Sequence, residues 1–163
     1  YLFDKLSNYY GASLKDRALA IWGLSFKPET DDVREGTALI LIEKAIAVGM
    51  TVYAYDPVAA DAFRRAVPQA WLQSGQLVIC ADQYQCLKNA DAMVLVTEWK
   101  QFRQPDFNRM HALMKQPVIL DGRDQYDAAA LKALGFDYFG IGRGGDASAL
   151  TQQSTKQSAA ALS

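Results

Sequence analysis

The chain has one histidine, two cysteines and no apolar run near the roughly 20 residues that a membrane-spanning helix needs. Each scarcity excludes something. His111 has no second histidine to help bind a metal and reads as a structural residue at or near the surface. Cys80 and Cys86 lie six residues apart with no second pair, so neither zinc nor redox-motif spacing is met. Both read as reduced core or helix residues. Charge of one sign is also missing: 17 basic side chains face 18 acidic ones, for a net charge of -1. The whole-molecule field therefore gives no reason to expect nucleic acid or an anionic membrane as partner, and any anion site must be local. With no signal-peptide pattern at the start, a soluble cytoplasmic protein is the expectation.

What the sequence does hold is hydrophobic residues, half of its 163, enough for one domain with a real core. Short apolar runs rich in β-branched and aromatic residues recur, and stretches with helical spacing follow them, the signature of βαβ units on a parallel sheet. The strands read as Ala18–Leu24, Thr51–Tyr55, Leu77–Ala81, Ala92–Thr97, Val118–Leu120 and Asp137–Ile141. Helices are expected over Val33–Val48, stopped by Gly49, and over Ala59–Val67, Tyr84–Asn89, Asp106–Met114 and Ala128–Leu134, the last stopped by Gly135. The fold class is thus α/β: a Rossmann-like, doubly wound, mostly parallel sheet of five to six strands in three α/β/α layers. The helix from Val33 is apolar almost all round and is expected to be buried against the sheet. Tyr1 to Tyr10 carry an apolar stripe like the end of a longer helix, so residues 1–14 read as the end of a linker and 15–143 as the domain. Residues 144–163, rich in Ser, Gln, Thr and Ala, read as a disordered tail.

In open α/β sheets ligands bind beyond the carboxyl ends of the strands. The loop after the first strand runs Gly23-Leu24-Ser25-Phe26-Lys27-Pro28-Glu29-Thr30-Asp31-Asp32-Val33-Arg34-Glu35. It is neither a dinucleotide fingerprint nor a P-loop, because the required glycines are absent. Asp32 and Glu35 form a capping-box pattern that starts a helix at Val33. Lys27 would then precede a helix start, where a phosphate is welcome, with Arg34 in the first turn. The alternative is that Lys27 and Arg34 pair with Glu29, Asp31, Asp32 and Glu35. After the fifth strand, Asp121-Gly122-Arg123-Asp124 presents an arginine able to hold phosphate or carboxylate, unless it bridges to Asp121 or Asp124. Asp56, ending the second strand, stands where a Rossmann domain holds a ribose hydroxyl, or else it is a cap or turn residue. No nucleophile has a base near it in sequence, so the residues alone suggest binding.

The run from Ala20 to Glu35 resembles the segment that opens the last domain of the UDP-glucose/GDP-mannose dehydrogenase family. Tyr55-Asp56-Pro57-Val58-Ala59, Thr97-Glu98-Trp99, Asp121-Gly122-Arg123 and Tyr138-Phe139-Gly140-Ile141-Gly142-Arg143 follow in the family's order. The resemblance covers roughly residues 15 to 143 and is most like the UDP-glucose branch. It implies a nucleotide-sugar-binding domain of an NAD-dependent enzyme that oxidises UDP-glucose to UDP-glucuronate through two hydride transfers. Phe26 and Lys27 resemble the pair that contacts substrate, with Lys27 in a catalytic place near the oxidised end of the sugar. Arg123 resembles a substrate-binding arginine, and Arg34 one that reaches NAD. The family's dinucleotide fingerprint and catalytic cysteine lie in other domains, so this stretch alone is expected to be inactive. NAD would be bound mainly by an N-terminal domain, and the full-length enzyme is expected to be a homodimer. Gly36 and Asp124 depart from the family pattern, where serine and asparagine or arginine are usual. The other readings are a GDP-mannose or UDP-N-acetylhexosamine dehydrogenase domain and a non-catalytic nucleotide-binding or assembly module.

Overall fold

The computed structural model describes residues 2–11, 13–25 and 37–140. Six strands form one sheet: β1 (Ala18–Trp22), β2 (Thr51–Tyr55), β3 (Leu77–Ile79), β4 (Ala92–Leu95), β5 (Val118–Asp121) and β6 (Asp137–Gly140). Their order is β3-β2-β1-β4-β5-β6, and every neighbouring pair is parallel. The chain thus works outward from β1 in one direction and then returns to β4 on its other side. All carboxyl ends share one edge, and the order reverses between β1 and β4, the place where such sheets leave a crevice.

Alternation along the strands sends side chains to two cores. Leu19 and Ile21 of β1, Val52 and Ala54 of β2, Val94 of β4 and Leu120 of β5 belong to one. It is covered by α1 (Leu2–Tyr10), α2 (Thr37–Ala47) and α3 (Ala60–Ala66). Ala20, Trp22, Met93, Leu95 and Ile119 face the other, against α5 (Phe107–Leu113), α6 (Ala128–Ala133) and 3₁₀ turns at Gln85–Leu87 and Lys100–Phe102. Trp22 is fully buried there and stacks on Phe102, centroids 5.0 Å apart. A short α4 (Gln69–Gln73), which the sequence pattern did not announce, buries none of its residues.

All six expected strands are found: β2 with the expected bounds, β5 one residue longer at Asp121, β1, β3 and β4 shorter at their carboxyl ends, and β6 described from Asp137 to Gly140; Gly49 and Gly135 stop their helices with φ of 91° and 92°. Two expectations need correcting. The helix from Val33 is described only over Thr37–Ala47, and it is not buried all round: Ile40 is 53% exposed, because the face that enters the core is Ala38, Leu41, Ile42, Ala45 and Ile46. The expected helix over Tyr84–Asn89 is a single 3₁₀ turn. Asp82 Oδ1 takes the Tyr84 and Gln85 N–H groups, and Asn89 sits at φ 59°, which ends the turn.

α1 belongs to the packed core. Leu2 and Leu6 are buried, Lys5 Nζ donates to Gly140 O at 2.6 Å, Tyr10 Oη to Asp91 O at 2.5 Å, and Tyr9 Oη to Asp137. An apolar stripe with three polar anchors fixes the helix to β6 and to the turn before β4.

Candidate functional site

The described part of the carboxyl edge is one connected network. It starts at Gly23, whose N–H donates to Tyr55 O at 2.8 Å and whose φ is 101°. A Cβ there would lie 2.6 Å from both Thr97 Cβ and Thr97 N, so only glycine permits the β1 and β4 loops to touch. Across that contact Thr97 Oγ1 donates to Ser25 O at 2.8 Å.

Asp56 holds the same loop from the β2 side. Its Oδ2 accepts from Leu24 N at 2.8 Å, from Ser25 N and Ser25 Oγ at 3.3 Å, and from Trp99 Nε1 at 3.2 Å. Its Oδ1 accepts from Val58 N and Ala59 N, both at 2.8 Å. The side chain is therefore buried and fully engaged. Of the two readings of Asp56, the turn residue is what the structure contains, on a larger scale than a local cap: it ties the loops after β1, β2 and β4 together.

Arg123 stands beside this assembly. β4 and β5 pair with Leu95 opposite Asp121, which sets the loops after them side by side. The Arg123 guanidinium meets Glu98 Oε1 at 3.1 Å, with both side chains more than a third exposed. Asp121 does not bridge to that guanidinium; its Oδ1 accepts from the Arg123 backbone N–H, and its Oδ2 from Tyr126 N and Tyr138 Oη, each at 2.8 Å. The buried Asp121 thus shapes the turn that aims Arg123 outward. Burial first, and the Asp121 charge second, push the Tyr126 phenol above its ordinary range.

An arginine held by one exposed carboxylate keeps donors free to grip an anion, and an exposed pair of this kind is weak enough to exchange. Sequence reasoning found Arg123 but missed Glu98 as its counter-ion and Thr97 as the bridge to the β1 loop. Their available signal was position, directly after a strand in the middle of the sheet. Phe26, Lys27 and Arg34, together with the Asp32–Glu35 capping box, residues 141–143 and the tail from residue 144, lie outside the described residues. Among the described residues no cluster of His, Cys, Asp or Glu could hold a metal, and no helix is long and apolar enough to cross a membrane.

Sheet order and a carboxyl edge built from four loops define the class: a Rossmann-like, doubly wound α/β domain. The match to a known family narrows this. Residues 20–128 fit the UDP-glucose/GDP-mannose dehydrogenase family, UDP binding domain, and the chain belongs to that family. It is 44% identical over 142 residues to a UDP-glucose 6-dehydrogenase of Pseudomonas aeruginosa, covering 87% of this chain and 31% of that protein. It is 35% identical to a UDP-glucose 6-dehydrogenase of Bacillus subtilis, covering 88% and 30%. A solved UDP-glucose dehydrogenase from Pyrobaculum islandicum superposes with a TM-score of 0.64 at 25% identity, over 85% of this chain and 27% of that one. The chain thus spans under a third of the relatives it matches.

Proposed function

We propose that this chain holds the nucleotide sugar for an NAD-dependent UDP-glucose 6-dehydrogenase, which oxidises UDP-glucose to UDP-glucuronate in two hydride transfers. The observation that carries the reading is Arg123, presented with Glu98 at the carboxyl edge beside the Gly23–Ser25 loop. Support for glucose over another sugar is the 44% identity to a relative of that name.

NAD does not fit the described residues of this domain. The first βα turn has Gly23 but no further glycine through Ser25, and Asp56, in the ribose-binding place, spends both oxygens on protein donors. NAD is therefore assigned to the rest of a longer protein, with Arg34 reaching toward it. A homodimeric full-length enzyme and a cytoplasmic location go with the same reading.

On this chain Arg123 and Phe26 contact the substrate. Lys27 sets its ammonium near the oxidised end of the sugar, where a fixed cation stabilises negative charge developing on oxygen. Arg123 supplies bidentate donors to an anionic group. In the full-length enzyme, Lys27→Ala is expected to cut kcat by at least about 100-fold, the loss typical of removing one charge-stabilising donor. Arg123→Ala is expected mainly to raise KM. Near-normal turnover by Lys27→Ala removes that residue from the mechanism.

A further inference from the structure

Helix α1 reaches the carboxyl edge as well as the core. It runs antiparallel to β6: the buried Lys5 donates from Nζ to Gly140 O at the end of that strand, whereas Tyr9 Oη donates to Asp137 at its start. Register sets Gly140 opposite Asp121, so the first turns of α1 lie against the ends of β5 and β6 together. Arg123 is two residues beyond Asp121.

The helix and the arginine turn meet at Gly122. A Cβ there would lie 3.0 Å from Leu2 Cδ1 and 2.8 Å from Leu95 O, the carbonyl that accepts the Gly122 N–H at 2.9 Å. Gly122 is outside the left-handed region, so room, not backbone conformation, is what calls for glycine. The turn that carries Arg123 is thus pressed between the end of β4 and one buried side chain of α1. Asp121 Oδ1 holds the same turn through the Arg123 N–H at 2.9 Å.

We propose that Leu2 is a positioning residue for Arg123. With Leu2 Cδ1 against Gly122 the turn has one resting place, and the guanidinium is presented at the edge before a ligand arrives. Removing that side chain gives Gly122 room to leave Leu95 O, and ordering Arg123 again then costs binding free energy. Leu2 touches no substrate; its role rests on Arg123 binding substrate, as proposed above. Close packing makes the coupling mechanical, so a displacement of α1 along β6 is passed to the Arg123 turn. The helix as well as the loops therefore belongs to the site.

Calorimetric titration of UDP into the parent chain, Leu2→Ala, Arg123→Ala and the double variant is the test. Leu2→Ala is expected to weaken UDP by at least about 5-fold in the parent and by less than about twofold once Arg123 is alanine, because nothing is then left to position. Leu2→Met, which refills the space, should bind within about twofold of the parent. Leu6, fully buried on the same helix but not among the atoms nearest Gly122, supplies the control: Leu6→Ala should lower the melting temperature and leave UDP affinity within about twofold. Leu2→Val carries the same comparison if Leu2→Ala does not fold. Parent-like affinity in the Leu2 variant, beside a weakened Arg123→Ala, overturns the positioning role alone. Equal losses with and without Arg123, or the same loss from Leu6→Ala, overturn it too, since general loosening explains them. An Arg123→Ala chain that binds UDP as the parent does overturns the reading of Arg123 and this role with it.

Discussion

Replacing Asp56 with asparagine alters one atom of the side chain, yet it reaches three loops at once. In the parent, Oδ2 accepts from Leu24 N at 2.8 Å, from both donors of Ser25 at 3.3 Å and from Trp99 Nε1 at 3.2 Å, while Oδ1 serves Val58 N and Ala59 N. An amide keeps one acceptor and turns the other atom into a donor. Whichever way it is oriented, at least two buried backbone N–H groups then face an N–H₂. Hydrogen bonds to a charged group contribute roughly 1.5–3 kcal/mol each, and a buried donor left without a partner costs a similar amount. With the N–H₂ in the Oδ2 place the short Leu24 bond is lost outright, while the longer ones are weaker and the Ser25 hydroxyl can turn to accept; with it in the Oδ1 place the Val58 and Ala59 bonds, both 2.8 Å, are lost instead. The expected loss is therefore about 3 kcal/mol, which for a chain of this size lowers the melting temperature by roughly 10 °C. Differential scanning calorimetry of Asp56→Asn against the parent measures it. A variant that melts within about 2 °C of the parent would show that the three loops do not depend on this carboxylate, and the account of the edge would be wrong.

Two further outcomes follow from the same geometry. Gly23→Ala places a Cβ 2.6 Å from Thr97 at φ 101°, so a loss of about 3 kcal/mol or more is expected in urea denaturation, and a loss under about 1 kcal/mol would contradict the tight β1–β4 contact. The second concerns alkaline pH. Burial raises the Tyr126 phenol above its ordinary value, so above about pH 10 the unfolded chain ionises this group first and the folded chain keeps its proton. Stability from Tyr126 is present below that pH and falls above it by up to about 1.4 kcal/mol per pH unit. Tyr126→Phe should flatten the decline in urea titrations between neutral and strongly alkaline pH; an unchanged slope would refute it.

The sheet was legible because parallel strands buried on both faces must be written as short apolar runs, as Ala18–Trp22 and Ala92–Leu95 are. Helix ends marked by Gly49 and Gly135 were legible for the same local reason, since φ above zero leaves little choice of residue. What required coordinates was everything decided by partners distant in sequence. Asp56 reads from sequence as a turn residue or a ribose ligand, and only the donors from Leu24, Ser25 and Trp99 that converge on it show three loops tied to one carboxylate. Arg123 had carboxylates two positions back and one ahead, but strand register brings Glu98 to its guanidinium from 25 residues away. The exposure of Ile40 shows the same limit, because an all-apolar helix does not say which side the sheet will take.

The central claim is that a nucleotide sugar rests where β1, β4 and β5 end. Titrating UDP into the ¹⁵N-labelled chain and following amide shifts tests it directly. Shifts concentrated at Gly23–Ser25, Thr97–Trp99 and Gly122–Arg123, and reduced in Arg123→Ala, are the predicted result. Shifts confined to other faces of the domain, or none at saturating UDP, would contradict it.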